Sequence, residues 1–275
     1  MVHFHSVCTF FLLLLLVLSL PNISGSEIQM GTTILAARYE NGIVIGADTR
    51  TSVSGYVSNR FASKLNFVLD ASDSSTIRDS YRSTTTTTRG STCCIARSGS
   101  AADTQKLCHL IQHELMAREI LQGISGTVTN AAYLARCYLR DNPEWSCGII
   151  CAGYDHVDKC GKIYSISPSG AIMEEDLALG GSGSSYIMGH VDSFLRERRS
   201  RAAPAITEEE CIDFVGRSIE LALGRDGSSG GYVCIYVIDQ WGSRALVRMP
   251  SESLGKAHLK RNTTLAFAPP QRRTR

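Results

Sequence analysis

No Cys-x-x-Cys pair occurs among the ten cysteines of this 275-residue chain, which argues against zinc ribbons and thioredoxin-like redox chemistry. Cys147, Cys151 and Cys160 are spaced too loosely to announce a metal site, although their spacing does not forbid a meeting as ligands. A marked charge excess is also missing. With a formal net charge of +2 the body of the chain does not suggest a nucleic-acid binder. Basic residues gather only at 196–201 and 256–275, which read as solvated loop and chain end. The leader run "CTFFLLLLLVLSL" falls short of the about 20 residues a membrane span needs. Its length suits a secretory core of about 7–15 residues, yet only His3 and His5, and no lysine or arginine, precede it. The sequons at Asn22 and Asn262 are common by chance and decide nothing.

What is present is the composition of a globular protein, 43% hydrophobic and 20% charged, in a length that reads as one domain with a full core. Several cysteines lie in or beside apolar strand-like runs, as small buried hydrophobes do. "TTILAARY" and "GIVIGAD" read as two strands from Thr32 onward, joined as a hairpin through Glu40-Asn41-Gly42. Strand-like text continues from Tyr56 to Val68, and residues 70–92 are a low-complexity run expected to form a disordered loop. After "CCIARSGSAAD", Ser100 with Asp103 is a helix start, and Leu107, Leu110, Ile111 and Leu115 recur at the helical period. A second helix is expected over 129–139, with Tyr133, Leu134, Cys137 and Tyr138 as its apolar residues. Strands follow at "CGIICAGY", "KIYSI" and "AIMEEDLAL", then helices from about Tyr186 to Arg196 and from Thr207 to Gly224, and closing strands at "YVCIYVID" and "ALVRM". Strands and helices fall in separate blocks, which points to an α+β layered domain rather than alternating βαβ units.

The candidate nucleophile is Thr32. A threonine hydroxyl is weak at neutral pH and needs a base; cleavage of Gly31-Thr32 would free its own α-amine, whose ordinary pKa is about 7.7–8.0. Gly31 lets the backbone bend so that the hydroxyl reaches the preceding carbonyl, and the branched Cβ of Thr32 restricts where that hydroxyl points. A lone Gly-Thr-Thr is equally the start of an ordinary strand. Asp48 ends the second strand, and Lys64 in "ASKLNF" carries an ammonium that would lower the pKa of the hydroxyl and amine; the two also fit a plain surface ion pair. Gly99, just before a helix start, offers a backbone N–H to an oxyanion. Asp226 and Ser229 sit in "RDGSSGG", otherwise a helix C-terminal turn. On its own residues Arg97 reads as a solvated charge.

The segments "GTTILAARYENGIVIGADTRTS", "NRFASKL", "RSGSAADTQ", "GGSGSSYIMGHVD", "TEEEC" and "RDGSSGG", in this order, resemble the beta subunits of the eukaryotic 20S proteasome, most of all the type-1, caspase-like kind. Asp48 follows Thr32 by 16 positions and Lys64 follows it by 32, as in that family. The resemblance implies an α+β fold, the four-layer αββα sandwich of N-terminal nucleophile hydrolases, with Thr32 as nucleophile and Asp48 and Lys64 tuning it. It implies Gly99 as oxyanion donor, Ser182, Asp226 and Ser229 as support for the threonine amine, and Arg97, Thr51 and Ala101 in the substrate pocket, where a guanidinium favours cleavage after acidic residues. It further implies a twenty-eight-subunit barrel of stacked heptameric rings of proteasome alpha and beta subunits, a regulatory particle on the whole assembly, unfolded polypeptide substrates, and no metal, organic cofactor, nucleic acid or membrane. The location would be cytoplasm and nucleus.

The expected organisation is a propeptide over 1–31, a catalytic domain over 32–250 carrying the insertion 70–92, and a basic tail over 251–275. The insertion departs from the family, and a surface loop tolerates it because each doubling of loop length costs only about 0.6 kcal/mol. A smaller insertion, "RRSRAAPA" at 198–205, lies between helices. Two other readings stay open: a structural ring subunit without catalysis, and, from the leader alone, a secreted binding protein.

Overall fold

The computed structural model describes residues 31–53, 55–70, 90–200 and 205–248. The expected leader, most of the low-complexity run, both sequons and the basic tail lie outside these residues.

Strands β1 (Ile34–Tyr39) and β2 (Gly42–Asp48) form the expected hairpin, with Ile34 opposite Ala47 and Tyr39 opposite Gly42. Thr32 and Thr33 stand before β1 rather than in it, because the Thr32 carbonyl accepts from Gly183 N at 3.1 Å instead of joining the ladder. The turn residues Glu40 and Asn41 both keep negative φ, so Asn-Gly does not act here as a left-handed turn. Gly42 opens β2 instead, where a Cβ would come within 2.2 Å of the Ile238 carbonyl oxygen. The neighbouring strand, not the turn, requires this glycine.

The chain continues through a small hairpin, β3 (Thr51–Val53) and β4 (Tyr56–Asn59), then β5 (Leu65–Leu69) and β6 (Thr92–Gly99). The run expected from Tyr56 to Val68 is therefore two strands in two sheets, and Thr92 belongs to β6 rather than to a loop. Helix α1 (Ala101–Gln122) starts where Ser100 Oγ accepts from Asp103 N at 3.3 Å and ends at Gly123 with φ 67°. Helix α2 (Val128–Asp141) buries Val128, Ala131, Ala132, Ala135 and Leu139, whereas Tyr133 and Cys137, expected on its apolar face, are exposed. The small alanines let the helix lie close to its sheet, so the larger residues turn outward.

Next come β7 (Cys147–Asp155), β8 (Cys160–Ile166), β9 (Ile172–Glu174) and β10 (Leu177–Gly180). "AIMEEDLAL" is thus split, β9 pairing with β8 and β10 crossing to β1 in the other sheet. Helix α3 (Ser184–Ser200) takes in the basic residues 196–200 that were expected in a loop; Arg198 forks onto Glu210 of α4 (Glu208–Leu223) at 2.7 and 3.2 Å. Strands β11 (Val233–Asp239) and β12 (Gly242–Arg248) are the last elements among the described residues.

Apart from the β3-β4 pair, the described strands assemble into two five-stranded antiparallel sheets, ordered β10-β1-β2-β11-β12 and β5-β6-β7-β8-β9. Alternation along each strand decides the layers. Ile43, Ile45 and Ala47 of β2 face Cys94, Ala96, Ile150 and Ala152 of the second sheet, while Val44 faces α4. Cys93, Ile95, Cys147 and Cys151 face α1 and α2, so the molecule is a four-layer αββα sandwich, as expected. Cys147 and Cys151 are part of that helix-side core and Cys160 opens β8; among the described residues no group of three potential ligands holds together. Ile45 is fully buried between the sheets, and Ile45→Ala would cost about 2–5 kcal/mol.

Candidate active site

Thr32 and Thr33 lie at the end of the sandwich where β2, β5, β6 and the turns after β10 and α4 converge. Gly31 is buried against one of those turns: a Cβ there would fall 2.0 Å from Ser228 Cβ. The chain bends so that Thr32 Oγ1 donates to the Gly31 carbonyl oxygen at 2.7 Å. Lys64 Nζ donates to that same oxygen at 2.9 Å and to Asp48 Oδ1 at 2.7 Å.

Asp48, the last residue of β2, is fully buried, and every bond to its carboxylate comes from a donor. Thr33 N and Lys64 Nζ reach Oδ1, and Arg50 N and Gly230 N reach Oδ2. The surface-pair reading of Asp48 and Lys64 is thereby overturned. Lys64 precedes β5 in the other sheet and bridges the two sheets at their open end. Burial pushes its ammonium below the ordinary lysine value, with Asp48 acting in the opposite direction. A lysine so placed can hold charge against an oxyanion developing on the carbonyl oxygen it already touches.

The other side of Thr32 is set by two glycine-rich turns. Gly181 has φ 83°, and a Cβ there would approach the Thr32 carbonyl oxygen to 2.1 Å. This close wrap brings Ser182 Oγ to 3.1 Å from Thr32 N. Ser182 in turn donates to Asp226 Oδ2 at 2.6 Å, and Ser229 donates to the same oxygen at 2.6 Å. Burial pushes the Asp226 carboxyl up, but hydrogen bonds from Ser182, Ser229 and two backbone amides outweigh it and leave the group below the ordinary aspartate range. Asp226 is therefore an anion at neutral pH.

In front of Thr32 opens a cleft of about 450 Å³, whose lining includes Thr51, Lys64, Gly99, Arg97 and Ala101. Gly99 has φ 96°, and a Cβ on it would fall 2.1 Å from the Ser146 carbonyl oxygen, so only glycine carries the chain round this corner. Arg97 is 7% exposed and no solvated charge, since it lies on the helix-facing row of β6 under the start of α1. Nε donates to Asn66 Oδ1 at 2.7 Å, Nη1 to Thr104 Oγ1 at 3.1 Å and to the Ala101 carbonyl at 3.5 Å, and Nη2 to the Ser63 carbonyl at 2.6 Å. All these partners are neutral. Burial pushes the guanidinium below its ordinary value, and among the described residues no carboxylate pairs with it.

The ten residues singled out from the sequence thus converge on one end of the molecule. Sequence reasoning passed over Thr33, Asn66, Thr104 and the Ser63 carbonyl. Asn66 carried a signal, being polar inside the apolar run "LNFVL" and two positions from Lys64.

A four-layer αββα sandwich with a threonine hydroxyl seated on the preceding carbonyl at the head of its first strand has the architecture of the N-terminal nucleophile hydrolases. Residues 66–238 match the family described as proteasome subunit. The probable proteasome subunit beta type-1 of Schizosaccharomyces pombe is 38% identical over 222 residues, 80% of this chain and 85% of the relative. The beta type-1 subunit of Saccharomyces cerevisiae is 33% identical over 226 residues, 82% and 92% of the two chains. The beta type-6 subunit of Dictyostelium discoideum is 34% identical over 224 residues, 81% and 91%. The chain belongs to the proteasome beta-subunit family, whose members are generally peptidases.

Proposed function

We propose that the chain is a catalytic beta subunit of the proteasome core, a threonine-type endopeptidase that cuts unfolded polypeptides after acidic residues. The observation that carries this reading is the meeting of Thr32 Oγ1 and Lys64 Nζ on one oxygen, that of Gly31, at 2.7 and 2.9 Å. A structural subunit has no need of a buried lysine aimed at the carbonyl before a threonine.

Activation starts from this arrangement. Thr32 Oγ1 adds to the Gly31 carbonyl carbon and gives up its proton, Lys64 holds the carbonyl oxygen as it gains negative charge, and the C–N bond to Thr32 breaks as the nitrogen takes up the proton that the hydroxyl released. Water then hydrolyses the ester, leaving Gly31 with a carboxylate and Thr32 with a free amine. In turnover that amine removes the hydroxyl proton of its own side chain as Oγ1 attacks the substrate carbonyl. In the uncleaved chain Ser182 accepts from the Thr32 amide N–H; the same bond kept by the freed amine leaves the nitrogen lone pair for the hydroxyl proton. Gly99 N–H stabilises the oxyanion; the leaving amine takes a proton, and water releases the acyl group.

Substrate preference follows from Arg97. A buried guanidinium whose partners among the described residues are all neutral is favoured by an incoming carboxylate, so a Glu or Asp side chain fits the cleft beside Thr51 and Ala101. The subunit works within a barrel of stacked heptameric rings of alpha and beta subunits, capped by a regulatory particle, in cytoplasm and nucleus. Enclosure limits an unselective protease to chains threaded into it. The test is mass spectrometry of the N-terminal peptide of the chain isolated in whole particles, with Thr32→Ala beside it. A start at Thr32, with loss of post-acidic cleavage in Thr32→Ala particles, is expected. A start within 24–27, or undiminished cleavage by the variant, overturns the reading.

A further inference from the structure

Thr33, the residue after the nucleophile, bonds to both halves of the site at once. Its N–H donates to Asp48 Oδ1 at 2.9 Å, and its hydroxyl lies 2.9 Å from Ser229 Oγ. Thr33 is 0% and Ser229 1% exposed, so water cannot substitute for either partner. The side chain is held in one orientation by its surroundings: a Cβ on Gly183 would fall 1.9 Å from Thr33 Oγ1.

The direction of the protons follows from counting them. Ser229 has one hydroxyl proton and uses it on Asp226 Oδ2 at 2.6 Å, a distance that marks a strong charge-assisted bond. The contact between Thr33 and Ser229 therefore carries the proton of Thr33. On the other side, Ser182 spends its single proton on the same carboxylate oxygen at 2.6 Å, so it accepts from Thr32 N. The hydroxyls form a one-way series that ends on Asp226 from both directions. Thr33 fixes Ser229, Ser229 fixes Asp226, and Asp226 fixes Ser182 under the nitrogen of Thr32.

We propose that the Thr33 hydroxyl is a positioning group for the reaction, acting through Ser229 and Asp226 to hold Ser182 in the accepting orientation toward the Thr32 amine. The inference rests on the proposed function, since it needs that amine to be the base. Thr33 touches no substrate, so its loss should reduce turnover and leave substrate binding alone. Where the cost of leaving a buried partner unpaired falls on the transition state, the rate drops about tenfold.

The test uses whole particles carrying the variant subunit and an acidic peptide substrate. Thr33→Val should lower kcat about tenfold with KM unchanged, and Thr33→Ser should restore most of it. Should Thr33→Val fail to assemble, Thr33→Ala against Thr33→Ser makes the same comparison, because both lack the methyl and only one lacks the hydroxyl. Coupling is then read from Ser229→Ala. With Ser229 already gone, removing the Thr33 hydroxyl should cost less than twofold more. Independent, multiplying losses overturn the proposal, as does an equal loss in the serine variant, which would assign the effect to packing. Failure of the broader reading looks different: Thr32→Ala particles would then keep their activity whatever the Thr33 variants do.

Discussion

Lys64 and Asp48 form an ion pair of 2.7 Å between two sheets, with the lysine 8% and the aspartate 0% exposed. Desolvation of such a pair offsets much of its attraction, so stability alone does not explain it. The aspartate is fully supplied with donors, whereas the lysine spends a second bond on the Gly31 carbonyl. The pair is thus arranged so that Asp48 anchors Lys64 and Lys64 faces the Gly31 carbonyl, the group attacked in the activation proposed above.

Replacing Lys64 with methionine keeps much of the length and leaves Asp48 a buried, unpaired charge. Breaking a buried pair from one side costs about 3–5 kcal/mol. We expect the variant to accumulate as the chain with Gly31-Thr32 uncleaved, read by mass spectrometry of the N-terminal peptide, and to unfold at lower denaturant. Normal processing of Lys64→Met would remove the lysine from the mechanism.

Gly31→Ala adds one methyl where Ser228 Cβ stands 2.0 Å and the Ser228 carbonyl oxygen 2.3 Å from the new atom. The backbone before Thr32 must then withdraw, and the 2.7 Å contact between Thr32 Oγ1 and the Gly31 oxygen is lost with it. Displacement of a reacting pair by about 1 Å can cost on the order of a hundredfold in rate. A pulse-chase of the variant should show uncleaved chain persisting long after the wild-type has matured; equal maturation times would refute the steric argument.

The pH dependence of stability follows from Asp226. Its folded carboxyl is held below the ordinary value of 3.8, so the unfolded chain takes up the proton first as pH falls. The stabilisation is complete above 3.8 and is lost as pH drops through the lower folded value. Asp226→Asn never has it. Thermal melts of the two proteins should therefore differ above that window and converge below it, and a gap that widened on acidification would reverse the sign argued here.

Most of this architecture was legible in the sequence because its signals are local. Alternation in "GIVIGAD", the Ser100 and Thr207 caps and the helix end at Gly224 are each decided within a few residues. The failures were decided elsewhere. Gly42 serves β11 rather than its turn, α2 buries alanines because its sheet lies close, and "AIMEEDLAL" divides between sheets that no local pattern separates. For the site, the family resemblance, through its offsets of 16 and 32 positions, pointed to Thr32, Asp48 and Lys64. Spacing did not reveal Thr33 or Asn66, whose importance lies in contacts with residues 196 and 31 positions away.

Asn66 offers the sharpest test of the proposed preference for acidic residues. Its Oδ1 accepts from Arg97 Nε at 2.7 Å, and the guanidinium's other partners among the described residues are neutral carbonyls and a hydroxyl. Asn66→Leu keeps the bulk and removes the acceptor, leaving the Nε donor unpaired in a buried place and free to turn the planar head. Arg97→Met removes the charge itself. If the guanidinium reads the acidic side chain, kcat/KM for cleavage after Glu should fall about tenfold in Asn66→Leu and by two orders of magnitude or so in Arg97→Met, with cleavage after Leu rising in the second. Cleavage after Glu and after Leu falling together in both variants would mean that Arg97 holds the cleft open and does not select its occupant.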